Sequence, residues 1–180
     1  MTTLLFGANG QLGREFLSIL DGMAVVAATR SGQLADGQAC ARADFHQPEQ
    51  VVAVLETVRP ARVINAAAYT QVDQAEQDRE GVFQTNAHTP GAIAQWCARH
   101  DIPWLHFSTD YVFDGQAAKP YTSDAPVAPL GVYGQSKRLG EEGILQAGGR
   151  GVILRTAWVY ADHSHNFFQT MLRLATSHQR

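Results

Sequence analysis

Short apolar runs alternate with longer amphipathic stretches along this chain. Six runs have the length and composition of buried strands, at residues 3–6, 23–28, 39–43, 62–65, 104–108 and 152–158. Five stretches have apolar residues at helical spacing: one that ends near residue 20, and those at about 48–58, 80–100, 131–146 and 166–177. Strands that alternate with crossover helices form parallel sheets covered on both faces. The pattern therefore predicts an α/β fold with a doubly wound parallel sheet.

Length and composition indicate one domain with a substantial core. The chain has 180 residues, of which 45% are hydrophobic and 17% charged, and its formal net charge is −3. This charge gives no sign of a basic surface, so we expect no nucleic-acid partner. Because there is no signal peptide and no membrane-length apolar run, we expect no membrane partner and a cytoplasmic location. The two cysteines are too few for a disulfide framework, and the seven histidines, His163 and His165 included, lack metal-ligand spacing, so we expect no metal.

Three glycines lie between the first predicted strand and the first predicted helix. Gly7, Gly10 and Gly13 have the spacing of a phosphate-binding turn. The first glycine allows the tight turn, the second lets the backbone approach a pyrophosphate, and the third lets helix and strand pack closely. The free amides and the positive dipole end of the helix favour the phosphate charge. This turn predicts a Rossmann-like domain that binds a nicotinamide dinucleotide.

The end of the second predicted strand indicates which dinucleotide is bound. NAD-specific sites place an acidic residue there to hold the ribose 2′-hydroxyl, whereas an arginine accommodates a 2′-phosphate. Residues 27–31 read Ala-Ala-Thr-Arg-Ser and contain no acid. We therefore expect Arg30 to face a 2′-phosphate, which favours NADPH, with NADH as the alternative.

Tyr133 and Lys137 stand four residues apart on a predicted helix, which places both side chains on one face. A lysine ammonium and an oxidised nicotinamide together lower a tyrosine pKa, so that the tyrosine can act as general acid toward a carbonyl that receives hydride. Thr109 follows a predicted strand, at the sheet edge where open parallel sheets bind ligands, and its hydroxyl can hold that carbonyl. Without a catalytic role, Tyr133 and Lys137 would be two residues on an exposed helix face, and residues 108–110 would form a turn or a helix cap.

Five segments occur together and in order, at residues 7–13, 65–68, 108–115, 133–137 and 154–160. Together they resemble the extended short-chain dehydrogenase/reductase family, most closely its dTDP-4-dehydrorhamnose reductases. The resemblance implies NAD(P)H-dependent reduction of the 4-keto group of dTDP-4-dehydro-6-deoxy-L-mannose to dTDP-L-rhamnose, a precursor of cell-surface polysaccharide. It also implies a dTDP-sugar as substrate and allows a homodimer of the full-length protein.

The resemblance assigns roles to individual residues. Thr109 would orient the substrate carbonyl, Tyr133 would donate the proton, and Lys137 would bind the nicotinamide ribose and tune Tyr133. The expected substrate contacts are Thr109, Asp110 and Trp158. The expected cofactor contacts, which include the glycine turn, Arg30 and the catalytic pair, are Gly7, Gly10, Gln11, Leu12, Gly13, Arg30, Asp44, Phe45, Ala67, Ala68, Tyr69, Thr70, Tyr133 and Lys137.

One departure from the family and two other functions leave the assignment open. The family continues into a C-terminal substrate domain that this sequence lacks. We therefore expect residues 1–180 to be the NAD(P)-binding, Rossmann-like domain of a chain cut before that domain. The alternatives are another sugar-nucleotide epimerase or dehydratase of the same superfamily, and a non-catalytic NADP-binding regulatory subunit that resembles the partner of methionine adenosyltransferase. We expect Asp73 and Glu76 to be helix-start acids rather than catalysts.

Overall fold

The structure is a computed structural model that describes residues 1–164 and 166–177. Within these residues, six strands form one sheet: β1 (Thr3–Phe6), β2 (Val25–Thr29), β3 (Ala41–Arg42), β4 (Arg62–Asn65), β5 (Trp104–Thr109) and β6 (Gly151–Thr156). All neighbouring strands are parallel, in the order β3-β2-β1-β4-β5-β6, which is the order of dinucleotide-binding sheets. The predicted α/β fold with a Rossmann-like sheet is confirmed. The predictions for His165 and His178 lie outside the described residues.

The same residues contain seven α-helices: α1 (Gln11–Ile19), α2 (Pro48–Val58), α3 (Val72–Ala75), α4 (Arg79–Phe83), α5 (Thr89–Arg99), α6 (Val132–Ala147) and α7 (Phe167–Ser177). A π-helical turn, Gln84–His88, joins α4 to α5. The apolar pattern predicts helix over residues 80–100 but not this turn, because a single wider turn hardly changes the spacing of apolar positions. No helix in the described part of the chain is long and apolar enough to cross a membrane.

Several strands are shorter than their apolar runs. β2 begins at Val25, two residues after the predicted start, and β3 contains only two of the five predicted residues. The last run was predicted to continue through Trp158, but β6 ends at Thr156. Pairing with β5 ends where Thr109 lies opposite Thr156, so the next residues leave the sheet, and Trp158 has a positive φ of 52°.

Apolar layers cover both faces of the sheet. On one face, Leu4 packs in a cluster with Leu55 of α2 and Ile93 of α5. On the other face, Leu5 packs in a cluster with Phe16 of α1. Successive residues of β1 point to opposite faces, as the two-residue period of a strand requires. Because both faces are covered by helices, ligands can approach the sheet at the carboxyl ends of its strands.

The edge strand β6 and helix α7 present apolar side chains to solvent. Val152 and Leu154 of β6 are 53% and 43% exposed. Helix α7 buries no residue, and its Phe168 and Leu172 are nearly half exposed. This part of the chain is therefore the least covered part of the fold.

Gly13 lets α1 pack directly on the turn after β1. A Cβ atom at Gly13 would lie 2.1 Å from the Gly7 carbonyl oxygen. Gly13→Ala is therefore expected to lower the free energy of unfolding by about 3 kcal/mol or more, since packed backbone atoms cannot move aside cheaply. The matched control is Gly91→Ala in α5, where a Cβ atom would meet nothing within 4 Å. Chemical denaturation compares the two variants, and equal stabilities would contradict this close packing.

Candidate active site

Two adjoining cavities open at the carboxyl ends of the strands. The first, the Tyr133 cavity, has a volume of about 550 Å³ and lies between the start of α1, the end of β5 and the start of α6. The second, the Arg30 cavity, has a volume of about 590 Å³ and lies over the ends of β2 and β3. Both are lined by Asn9, Gly10 and residues 66–68, so they form the two halves of one groove.

The glycine turn lies where the two cavities meet. Gly7 has a φ of 77°, and a Cβ atom there would lie 2.5 Å from the backbone nitrogen of Ala67. Gly10 is the N-cap of α1, whose first turn has no side-chain cap and no acidic residue. The first amides of α1 therefore keep their capacity to bind an anion in the groove.

The end of β5 places two hydroxyl groups in the Tyr133 cavity. Ser108 and Thr109 are both buried and line the cavity. The Thr109 hydroxyl donates a hydrogen bond to Asp110 (3.2 Å) and accepts one from the Tyr111 backbone N–H (3.2 Å). Helix α6 lies directly on this turn, because a Cβ atom at Gly134 would be 2.3 Å from the Tyr111 carbonyl oxygen. This packing brings Tyr133 to Thr109.

Tyr133 is a protonated acid at neutral pH. Burial raises its pKa, a hydrogen bond with the Thr109 side chain lowers it by less, and Asp110 and Tyr111 raise it further. Its ring packs edge-to-face on Tyr111, with ring centroids 5.6 Å apart. Lys137 is not among the groups that shift this pKa, and its amine donates to the Phe107 carbonyl. The lowering by Lys137 together with an oxidised nicotinamide stays a prediction.

Lys137 is 1% exposed and extends under the end of β5. Its Nζ donates a hydrogen bond to the Phe107 carbonyl (2.6 Å) and lies 3.4 Å from Nε2 of His106. Burial lowers the pKa of Lys137 to about 8, and the nearby Glu141 carboxylate opposes this change. That carboxylate is already paired, since the Arg155 guanidinium donates to both of its oxygens (2.9 and 2.7 Å).

Asn86, in the π-helical turn, ties the wall of the Tyr133 cavity to α6. Its Oδ1 accepts from the Tyr69 N–H (2.8 Å), and its Nδ2 donates to the Tyr69 carbonyl (3.0 Å) and to the Ser136 hydroxyl (3.1 Å). A Cβ atom at Gly140 would lie 2.2 Å from the Asn86 carbonyl oxygen. The loop after β4 and the helix that carries Tyr133 are therefore held together. No pattern in the sequence indicates this role of Asn86.

The two acids that follow this loop have structural roles. Asp73 lies in the first turn of α3, as predicted. Glu76 instead ends α3, and its carboxylate accepts a hydrogen bond from the Val132 N–H at the start of α6 (2.8 Å). The negative charge of Glu76 at the N-terminus of α6 complements the dipole of that helix, and the hydrogen bond fixes the start of α6 next to Tyr133.

The Arg30 cavity contains two arginines and one acid. Arg30 Nε lies 3.7 Å from the Asp44 carboxylate, and the Arg30 side chain is 66% exposed. Arg42, which was not among the predicted residues, lines the same cavity. Parallel pairing places Arg42 of β3 opposite Thr29 of β2, next to Arg30. The short third predicted strand was therefore the signal from which Arg42 could have been identified.

The structure brings most of the predicted residues into the groove. The Tyr133 cavity is lined by Gly10, Gln11, Leu12, Ala67, Ala68, Thr70, Thr109, Asp110, Tyr133, Lys137 and a 73% exposed Trp158. The Arg30 cavity is lined by Gly7, Gly10, Arg30, Asp44, Phe45, Ala67 and Ala68. Gly13 and Tyr69 line neither cavity: Gly13 is a packing contact, and the Tyr69 side chain packs against the cluster of Ala75, Val82 and Val132.

The groove has the donors that a dinucleotide requires. Buried polar atoms of Gln11, Thr85 and Ser108 have no protein partner, and all three residues line the groove. An extended ligand could place a diphosphate at the glycine turn and one nucleoside in each cavity. Among residues 1–164 and 166–177, no three His, Cys, Asp or Glu side chains form a group that could hold a metal ion.

Comparison with known proteins gives consistent matches. The model of the family described as "RmlD substrate binding domain" matches residues 1–180. The dTDP-4-dehydrorhamnose reductase of Burkholderia thailandensis is 39% identical over 175 residues, which cover 97% of this chain and 56% of that protein. This chain therefore spans little more than half the length of that relative.

Two solved structures have the same fold. A dTDP-4-dehydrorhamnose reductase of Clostridium acetobutylicum superposes with a TM-score of 0.88 at 34% identity, over 99% of this chain and 60% of that one. The corresponding reductase of Bacillus anthracis, solved in complex with NADP, also has a TM-score of 0.88, at 30% identity, over 99% of this chain and 61% of that one.

Proposed function

Because the chain belongs to the RmlD substrate binding domain family, we propose that it binds NADPH in the groove and reduces the 4-keto group of a dTDP-4-dehydro-6-deoxysugar. The observation that carries this proposal is that Thr109, Tyr133 and Lys137 line one cavity, which continues into the glycine turn. The proposed substrate is dTDP-4-dehydro-6-deoxy-L-mannose and the product dTDP-L-rhamnose. NADH is the alternative cofactor.

We assign each part of the groove to one part of the cofactor or of the substrate. The amides of Gln11 and Leu12 would bind the diphosphate at the start of α1, and Gly10, whose own N–H donates to the Gly7 carbonyl, would contact it through its backbone. The Arg30 cavity would receive the adenosine half, with Asp44 and Phe45 beside it. Ala67, Ala68 and Thr70 would line the nicotinamide half, and Lys137 would anchor its ribose. Trp158 and Asp110 would contact the sugar nucleotide.

The side chains around Tyr133 supply what carbonyl reduction needs besides hydride. When bound, the dihydronicotinamide supplies the hydride that forms the new C–H bond at the carbonyl carbon. Tyr133, which its raised pKa keeps protonated at neutral pH, donates its proton to the carbonyl oxygen as negative charge develops there. The Thr109 hydroxyl, which donates to Asp110 in this structure, would turn to donate its one proton to the same oxygen, in a hydrogen bond that becomes stronger as that charge grows.

Residues 1–180 are proposed to be the NAD(P)-binding domain of a longer reductase. This proposal is supported by the greater length of the relatives and by the exposed apolar side chains of β6 and α7. Without the further part, the sugar nucleotide would be poorly oriented, and we expect slow turnover by this chain. Single-turnover assays, which detect slow transfer, are therefore the suitable measurement. A homodimer of the full-length protein stays a prediction.

Arg30→Ala and Arg42→Ala are each expected to weaken NADPH binding about tenfold or more while leaving NADH binding nearly unchanged. The reason is that a guanidinium makes charge-assisted hydrogen bonds to the 2′-phosphate that NADH lacks. Isothermal titration calorimetry with both cofactors measures the effect, and Arg99→Ala, on the exposed side of α5, is the matched control. Equal losses for NADPH and NADH would remove these arginines from the 2′-phosphate site.

The proposed function is tested by adding NADPH and then dTDP-4-dehydro-6-deoxy-L-mannose to the chain. Calorimetry should show NADPH binding, and NADPH fluorescence should then fall as the sugar nucleotide is reduced. If NADPH does not bind, the proposal is wrong. If NADPH binds but is never oxidised by this or a related keto-sugar nucleotide, the non-catalytic binding subunit is the better account.

A further inference from the structure

Lys137 is the last member of a buried row of polar side chains. Asn65 at the end of β4 and His106 on β5 are neighbours in the strand register, and Lys137 reaches them from α6. None of the three is more than 1% exposed. Nδ2 of Asn65 lies 3.0 Å from Nδ1 of His106, and Nε2 of His106 lies 3.4 Å from Nζ of Lys137. The row therefore joins the sheet to the proposed catalytic lysine.

The backbone fixes the orientation of the Asn65 amide. The N–H of Ala67 donates a hydrogen bond to Oδ1 of Asn65 (3.0 Å). Because an N–H cannot be satisfied by another donor, Oδ1 must face Ala67 and the NH₂ group must face His106. The NH₂ group then donates to Nδ1 of the imidazole, which must carry a lone pair.

This orientation determines which imidazole nitrogen carries the proton. Burial and, to a lesser extent, the charge of Lys137 lower the pKa of His106 well below its ordinary value, so the ring is neutral and has one N–H. With Nδ1 as acceptor, that N–H is on Nε2 and faces Lys137. A neutral amine can accept this hydrogen bond through its lone pair. An ammonium has no lone pair, so the two donors oppose each other.

We propose that Asn65 and His106 are positioning residues for Lys137: Asn65 holds the proton of His106 on Nε2, and this N–H disfavours the ammonium form of Lys137. The role rests on the proposed function, since it affects reduction only if Lys137 serves Tyr133. After Tyr133 has given its proton to the substrate, it must regain one. A lysine with a pKa of about 8 gives up and regains a proton near neutral pH more readily than an ordinary lysine.

Other charged groups near α6 do not account for the lowered pKa of Lys137. Glu141, on the next turn, favours the ammonium, and Arg155 of β6 is paired with Glu141. Three charged residues from other elements act on the first turns of α6 and not on Lys137. Glu76 accepts from the Val132 N–H, Arg79 donates to the Gln135 side chain, and Asp110 raises the pKa of Tyr133. Burial is the main cause of the lowered pKa of Lys137, and the proposal adds the imidazole N–H as a second group that opposes its charge.

The protonated nitrogen of His106 can be observed directly. Long-range ¹H–¹⁵N correlation spectra of the labelled chain distinguish a protonated ring nitrogen from one that carries a lone pair. The expected result is a proton on Nε2 and none on Nδ1 throughout the neutral pH range, with the exposed His46 as reference in the same spectrum. The His106 signals are assigned by their loss in His106→Phe. A proton on Nδ1, or averaged signals from both nitrogens, would overturn the proposal.

Asn65→Asp tests the consequence for Lys137. A carboxylate can accept from both Ala67 and the imidazole, so the proton of His106 should move to Nδ1 and Nε2 should offer its lone pair to the ammonium. The pKa of Lys137 is expected to rise by about one to three pH units. Lysine labelled with ¹³C at Cε reports this, because the chain has two lysines and the exposed Lys119 provides the control signal.

The new carboxylate would also attract the ammonium by charge alone, and a second background separates the two effects. In His106→Phe the carboxylate is still present but the imidazole is absent, so Asn65→Asp should shift the pKa of Lys137 much less there. Equal shifts in both backgrounds, or no shift in either, would refute the role of His106. If the variants do not fold, the spectrum of the unsubstituted chain still decides the tautomer. Neither measurement needs NADPH. The proposed function can therefore fail while the tautomer of His106 is as expected, and the tautomer can differ while the proposed function holds.

Discussion

Tyr133→Phe is expected to lower the single-turnover rate of NADPH oxidation by about 10²- to 10⁴-fold, the usual contribution of a general acid. NADPH affinity should change little, because the hydroxyl acts on the substrate oxygen only as charge develops there. The phenyl ring keeps its packing on Tyr111, so the cavity should retain its shape. Stopped-flow fluorescence of bound NADPH, mixed with excess dTDP-4-dehydro-6-deoxy-L-mannose, measures the rate.

The control for this variant is Tyr160→Phe. Tyr160 is 74% exposed and lies outside both cavities, so the loss of its hydroxyl should leave the rate unchanged. Thr109→Val should lower the rate by less than Tyr133→Phe, and the double variant should be little worse than Tyr133→Phe, because the two hydroxyls act on one oxygen. If Tyr133→Phe oxidises NADPH at the rate of the unsubstituted chain, Tyr133 is not the acid.

Lys137→Met should stabilise the fold while it removes the proposed anchor of the nicotinamide ribose. The pKa of Lys137 falls from 10.5 to about 8 on folding, a change that corresponds to about 3 kcal/mol of unfavourable free energy for the buried ammonium at neutral pH. Methionine fills a similar volume without charge, but it gives up the charge-assisted hydrogen bond to Phe107, worth about 2 kcal/mol. We therefore expect the free energy of unfolding to rise by about 1 kcal/mol, measured by urea denaturation at neutral pH.

The sign of this effect depends on pH in a defined way. Below pH 8, Lys137 is charged in both the folded and the unfolded chain, so the full penalty applies. Between pH 8 and 10.5 the folded chain loses the proton first, and the penalty disappears as pH rises. The gain from Lys137→Met should shrink over that interval. Lys119→Met, at an exposed site, should show neither the gain nor its pH dependence, and a destabilised Lys137→Met at neutral pH would contradict the buried charge.

Local patterns were sufficient to predict the parts of the site that lie within single elements. The apolar run before Gly7 and the glycine spacing after it predicted β1, the turn and α1, because chain sterics and helix packing require glycine there. The four-residue spacing of Tyr133 and Lys137 placed both on α6, because the helical period fixes which residues share a face.

Contacts between elements could not be predicted in the same way. Arg42 and Asn86 reach the site only through the order of the strands and the packing of helices on the sheet, which short windows of sequence do not contain. The direction of the Lys137 amine, toward Phe107 and His106, likewise depends on how α6 crosses β5. Trp158 was assigned to a strand because its apolar neighbours continue the run, whereas pairing with β5 ends two residues earlier.

Hydride transfer in the groove is tested with NADPH in which both hydrogens at C4 of the nicotinamide ring are deuterium. The chain is loaded with this cofactor and mixed with dTDP-4-dehydro-6-deoxy-L-mannose, and the sugar nucleotide is analysed by mass spectrometry and NMR. We expect dTDP-L-rhamnose that carries one deuterium at C4, formed much more slowly by Tyr133→Phe. A reduced sugar without deuterium at C4 would contradict hydride transfer from the cofactor at this site.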